Sequence, residues 1–249
     1  MTKKLLGISL NNETENDILE KIEKYIKNPK GVFHVVSVNP ENMVIAHKSK
    51  VFKRIVNTAQ IRIVDGFGIV AAGQILGKHV GPRLTGVDLM EKLLNIASER
   101  RIRVVLIGGK GNLAEDIANC YNRAQSEANF IGLQGIKDIR KPTAKEEKEV
   151  LSIVADYKPR LLFVAFGSPF QELWINKNRA LLQGIVTMGV GGGFDFLSRR
   201  IRRAPKLLRV LGLEWLFRLI LQPWRLKRQA TRLSYFIWLV VKERFSKNY

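Results

Sequence analysis

Short β-branched runs separated by longer segments of helical period dominate this chain, and that alternation limits its fold more than any other feature. The runs Leu5–Ser9, Val32–Val38, Ile61–Val64, Arg103–Ile107, Asn129–Leu133, Leu161–Ala165 and Ile185–Val190 read as strands. Between them, Asn16–Lys27, Glu41–Lys48, Lys50–Thr58, Ile69–Leu76, Val87–Arg100, Leu113–Glu127, Lys145–Tyr157 and Glu172–Leu182 read as helices. Parallel strands need crossovers of this length, which tight hairpins do not provide. The expected fold is therefore α/β: a Rossmann-like, largely parallel sheet with helices on both faces.

Charge divides the 249 residues unevenly. The chain carries a net charge of +20, which calls for a polyanionic partner such as a phosphorylated ligand, an anionic bilayer or nucleic acid. From Phe196 onward there are 14 Lys/Arg against only Glu214 and Glu243, together with Trp215, Trp224 and Trp238. Basic side chains mixed with Trp, Phe and Leu suit a membrane surface better than nucleic acid. No nucleic-acid motif is present, so nucleic acid is not an expected partner. The reading is an α/β catalytic core over 1–195 and a basic amphipathic helical appendage over 196–249. The alternative for that appendage is a helical hairpin packed on the core or on a partner subunit.

The late apolar run Tyr235–Val241 is too short to span a bilayer, and the first residues lack a signal-peptide pattern. A protein on the cytoplasmic side, peripheral to the membrane, is expected. The single Cys120 excludes an internal disulfide. His34, His47 and His79 form no metal-ligand spacing, and no metal or other cofactor is expected.

Open α/β sheets bind ligands beyond the carboxyl ends of their strands. Ser37 and Asn39-Pro40-Glu41-Asn42 close the second expected strand, and Asp65-Gly66-Phe67-Gly68 the third. Gly167-Ser168-Pro169-Phe170-Gln171-Glu172 and Gly191-Gly192-Gly193-Phe194-Asp195 follow the last two. Asp65 is either a general base flanked by backbone that a ligand can approach, or the N-cap of the next helix. Gln171 can reach a sugar hydroxyl or base edge, Glu172 can simply favour a helix N-terminus, and Asp195 is a ligand contact or a turn residue. Gly108-Gly109-Lys110-Gly111-Asn112 looks like a phosphate turn but lacks the full fingerprint. Without a metal, arginines must neutralise any diphosphate; Arg83, Arg202, Arg203, Arg218, Arg225 and Arg228 are the candidates.

Asn39-Pro40-Glu41, Asp65-Gly66-Phe67-Gly68, Arg83-Leu84-Thr85-Gly86, Gly167-Ser168-Pro169-Phe170-Gln171-Glu172, Gly191-Gly192-Gly193-Phe194-Asp195, Arg203-Ala204-Pro205, and Gly212-Leu213-Glu214-Trp215 with Arg218 and Pro223-Trp224-Arg225 closely resemble the WecG/TagA/CpsF family, glycosyltransferase family 26. The resemblance spans nearly the whole chain. It implies an inverting, metal-independent transfer of an N-acetylmannosamine-type sugar from a UDP-sugar donor to a polyprenyl-diphosphate-linked N-acetylglucosamine. The setting implied is the cytoplasmic membrane face, in teichoic acid or common antigen synthesis.

By the same resemblance Asp65 matches the catalytic base. Ser37, Asn39, Arg83 and Gln171 match pocket residues, and Glu172, Gly191, Gly192 and Asp195 are expected beside them. Arg203, Arg218, Arg225 and Arg228 are expected at the diphosphate and membrane. Ser37 stands where threonine is expected, Lys206-Leu207 replaces an aromatic, and Gln222 replaces an acid. A homo-oligomer is compatible with these features. The different-class alternative is a non-catalytic activator of another membrane glycosyltransferase.

Overall fold

In the computed structural model, residues 4–246 are described apart from 11, 126 and 199. The strands are β1 (Lys4–Leu5), β2 (Ile8–Ser9), β3 (Phe33–Val38), β4 (Ile61–Val64), β5 (Val104–Gly108), β6 (Phe130–Leu133), β7 (Leu161–Ala165) and β8 (Val186–Gly189). The last six form one sheet in the order β4-β3-β8-β7-β5-β6, and every pairing in it is parallel. The expected α/β architecture is present.

Alternation along the strands explains why both faces are covered. Val35, Leu106, Phe163 and Met188 point into one apolar cluster with the helices Glu15–Lys27, Gly86–Glu99 and Leu113–Ala124. Their neighbours Val36 and Val38 enter a second cluster, and Val105, Ile107 and Val164 a third, on the opposite face. A sheet buried on both sides needs near-continuous apolar strands, and the sequence supplies them. Helix starts are set locally: Thr14 and Thr143 each form a reciprocal capping box with Asp17 and Glu146.

Two expectations are corrected. Leu5–Ser9 is not a strand of the main sheet; it divides into β1 and β2, an antiparallel pair turned at Leu6-Gly7, where φ is 49° and 78°. Glycine tolerates that left-handed backbone and breaks the run. The expected helix Glu172–Leu182 is displaced to Phe170–Lys177 and ends before the loop into β8.

The C-terminal basic segment has two parts. The helix Leu226–Ser246 seats Phe236 and Val240 in the apolar cluster beside β3 and β4 and packs on the helix Pro40–Lys48. The stretch before it, with helices Lys206–Val210 and Glu214–Leu221, buries no residue within either helix. Leu207, Val210, Leu211, Trp215, Ile220 and Trp224 face outward. No helix among the described residues is long and apolar enough to cross a membrane.

Phe236 is 3% exposed whereas Ile237 is 54% exposed, so the same truncation has opposite expected weights on one helix. Phe236→Ala should cost about 3–5 kcal/mol, and Ile237→Ala less than about 0.5 kcal/mol. Denaturant midpoints at constant slope will measure both.

Candidate active site at the strand ends

The two central strands of the site half, β7 and β8, end in turns whose backbone N–H groups need acceptors. Gln171 meets that need. Its buried side-chain Oε1 accepts from Gly167 N at 3.0 Å and from Gly191 N at 2.9 Å. Its Nε2 donates to Glu172 Oε1 at 2.8 Å, where Ser168 Oγ also donates at 2.8 Å. Gln171 and Glu172 are therefore internal braces of the two glycine turns, with Gln171's carbonyl and one amide bond already committed. Glu172 is 1% exposed, its Oε2 has no partner, and burial pushes its carboxyl above the usual range despite the Gln171 and Ser168 hydrogen bonds.

Asp65 follows β4, and the capping alternative fails there. The N-cap of the helix Phe67–Ile75 is Gly66, with no side-chain cap. The Asp65 carboxylate instead lies beside the backbone of Gly86, which favours its charged form, at the first turn of the helix Gly86–Glu99, a position that suits a negative charge. Burial nevertheless raises its pKa to about 6, with Glu214 and Asp88 adding to the rise and Gly86 and Arg83 opposing it. A carboxylate tuned near neutrality is suited to accept a proton at physiological pH. Ser37 lies alongside: a side chain at Gly86 would meet Ser37 Oγ at 2.7 Å and Asp65 Oδ2 at 3.4 Å. Asn39 caps the helix Pro40–Lys48 through Asn42 N at 2.9 Å, so its side-chain oxygen is committed to the backbone.

The arginines separate into two groups. Arg218 lies against the β8 turn, 3.5 Å from Gly192 O and 3.8 Å from Asp195 Oδ2, over the ring of Phe196. Its pKa is pushed down to about 10, first by burial and then by Arg225, with Arg228 adding and Asp195 and Glu214 opposing. Arg225 is likewise lowered by burial and by Arg228, and its Nε is buried without a partner. Arg228 reaches Glu41 at 3.8 Å, beyond β3. Arg225 and Arg228 thus both lower Arg218, and crowded guanidinium groups of this kind are suited to a polyanion.

Arg203 belongs to the other group. Its guanidinium meets Asp88 at 2.6 Å, Glu214 at 3.1 Å and Glu91 at 3.5 Å. Three acids thus meet its charge, and in this structure Arg203 joins protein to protein. Arg83 donates to Arg209 O at 2.8 Å. A cleft of about 400 Å³ lies beside Arg83, lined also by Glu15, Leu84, Asp88, Glu91, Lys92 and Asn95. It includes neither Asp65 nor the glycine turns, so the convergent polar groups at the strand ends place the candidate site.

Sequence reasoning brought Ser37, Asp65, Gln171, Gly191, Gly192 and Asp195 to this end of the sheet but missed Glu214, Asp88 and Glu41 as charge partners. Glu214 carried a usable signal, being one of two acids after residue 195. Among the described residues no group of His, Cys, Asp and Glu is arranged to hold a metal ion.

The fold and the position of these groups define an α/β protein with its crevice at the strand ends. A family model described as the glycosyl transferase WecG/TagA/CpsF family matches residues 3–249. The chain belongs to that family and is a glycosyltransferase. It is 28% identical over 248 residues to the N-acetylglucosaminyldiphosphoundecaprenol N-acetyl-beta-D-mannosaminyltransferase of Bacillus subtilis, covering all of this chain and 94% of the relative. The enzyme of that name from Bacillus spizizenii is 32% identical over 89% of this chain and 84% of its own length. The one from Staphylococcus aureus is 26% identical over 96% and 91%.

A side chain at Gly189 would collide with Gln171, whereas one at Gly192 would collide with the tip of Arg218. The buried brace cannot yield, but a flexible guanidinium can. Gly189→Ala should cost about 1–3 kcal/mol, and Gly192→Ala should stay within about 1 kcal/mol of the parent, as read from chemical denaturation.

Proposed function

We propose that this enzyme transfers an N-acetylmannosamine-type sugar, with inversion, from a UDP-sugar to N-acetylglucosaminyl-diphosphoundecaprenol. The relatives' names supply the sugar, the β linkage and the lipid-diphosphate acceptor. The single observation that carries the mechanism is the pairing of two unlike sites at one sheet end. Asp65 is tuned to pKa about 6, and Arg218, Arg225 and Arg228 form a crowded cation cluster. Glu214 acts electrostatically on both Asp65 and Arg218, which supports placing them in one crevice.

In this mechanism Asp65 takes the proton of the acceptor hydroxyl as its oxygen attacks the anomeric carbon. The bond from that carbon to the diphosphate oxygen breaks, and UDP leaves with the electron pair. The arginine cluster stabilises charge developing on the departing diphosphate, the role a divalent ion fills in other enzymes. Ser37 and Arg83 border Asp65 on the acceptor side, while Gly191, Gly192 and Asp195 form the wall beside Arg218. The braces Gln171 and Glu172 hold that wall.

Outward Trp215, Trp224, Leu207 and Val210 on a basic segment suit docking at an anionic membrane, where the lipid acceptor resides. The enzyme then works as a peripheral protein on the cytoplasmic face, in synthesis of a bacterial cell-surface polysaccharide such as teichoic acid.

Acceptor-dependent release of UDP from UDP-N-acetylmannosamine, in excess EDTA, tests the assignment; no release above the acceptor-free blank, or release only with added Mn²⁺, would overturn it. Asp65→Asn should lower kcat by roughly 10²–10⁴, and wild-type kcat/KM should fall tenfold per pH unit below about 6. Stability has the opposite sign. A raised carboxyl pKa means that ionised Asp65 burdens the fold above that pH, with the burden vanishing as pH falls towards its unfolded value. Asp65→Asn should therefore be at least as stable as wild type at pH 8, and the difference should shrink by pH 4.

A further inference from the structure

We propose that Arg203 is a positioning residue: a clamp that holds the arginine-bearing segment 205–225 over the strand-end crevice. This rests on the reading above for what the segment does there, but the clamp itself rests on contacts.

No residue of the helices Lys206–Val210 and Glu214–Leu221 is fully buried, so apolar packing holds the segment only weakly. Gly212 against Phe67 and the buried Ala204 and Gln222 supply little area. Polar ties remain, and among them Arg203 joins acids of the core to an acid of the segment. Asp88 and Glu91 come from the core helix Gly86–Glu99, and Glu214 from the first turn of the segment's own helix. Thr85 Oγ1 holds Asp88 at 2.6 Å and also lies 3.4 Å from Arg203 Nη2, so the core half is fixed in place. Arg83 adds a second tie through Arg209 O. Four residues beyond Glu214, on the same helix, is Arg218 at the Gly192 turn.

Loosening the clamp should reduce the fraction of molecules with Arg218 in place without removing any group that touches substrate. Apparent affinity falls by that fraction, while saturating donor draws the segment back. Arg203→Gln should thus raise KM for the UDP-sugar at least fivefold and leave kcat within about twofold. A general loss of folded protein would do the reverse. Glu214→Gln should raise KM in the same direction but by less, since Asp88 and Glu91 still hold Arg203, and it should move the acid limb of kcat/KM to lower pH, because Glu214 raises the Asp65 pKa. Arg203→Lys, which keeps the charge but not the planar fork, should fall between wild type and Arg203→Gln.

Hydrogen exchange over 205–222 provides the reading that needs no activity. Arg203→Gln should speed it at least tenfold while the strands of the sheet stay protected. Unchanged exchange in a folded Arg203→Gln protein would refute the clamp. Should wild type transfer no sugar at all, the functional reading fails and the exchange comparison still decides the clamp.

Discussion

Everything at the active end of this molecule depends on one buried amide. β7 and β8 lie side by side at the centre of the sheet, and both must end where a ligand can approach their backbone. Unpaired N–H groups there would cost about 1–3 kcal/mol each if left buried without an acceptor. Gln171 satisfies two of them with one oxygen, and Glu172 fixes the amide from behind. Gly189 has no side chain because Gln171 occupies that space. The glycine turns are thereby rigid without being filled, which leaves their outer surface for a ligand.

Charge is then distributed by purpose. Arg203 is surrounded by Asp88, Glu91 and Glu214 and contributes to architecture. Burial works to raise Asp88, but its hydrogen bonds to Thr85 and Arg203 hold it below the usual carboxylate range. Arg218, Arg225 and Arg228 are matched by fewer acids, and Arg225 and Arg228 both lower Arg218. Burial raises the proton affinity of Asp65. A chain of +20 thus keeps its unbalanced cations near the crevice and on the outward basic segment, where a diphosphate and an anionic surface would both be met.

Much of this was legible in the sequence, for physical reasons. Strands buried on both faces must be apolar throughout, so β3, β5, β7 and β8 stood out. Asp65, directly after β4, and Gln171, in the first turn of the helix after β7, lie at the carboxyl ends of the strands, where the crevice is. What was hidden depends on distance along the chain. Arg203 finds Asp88 across 115 positions, and no local pattern distinguishes it from Arg218. Gln171's bond to Gly191 spans 20 residues, so its bracing role could not be separated from ligand contact. Leu5–Ser9 was misread because β propensity does not report what a strand pairs with, and Gly7 turns the chain inside the run.

The central claim is a division of labour: arginines hold the donor's diphosphate, and Asp65 serves the acceptor. Calorimetric titration with UDP in EDTA tests it most directly. Arg218→Gln should weaken UDP binding about 10–100-fold, the range expected for loss of a charged hydrogen bond, while Asp65→Asn leaves the affinity within about twofold. Equal UDP affinity for Arg218→Gln and wild type would contradict the account.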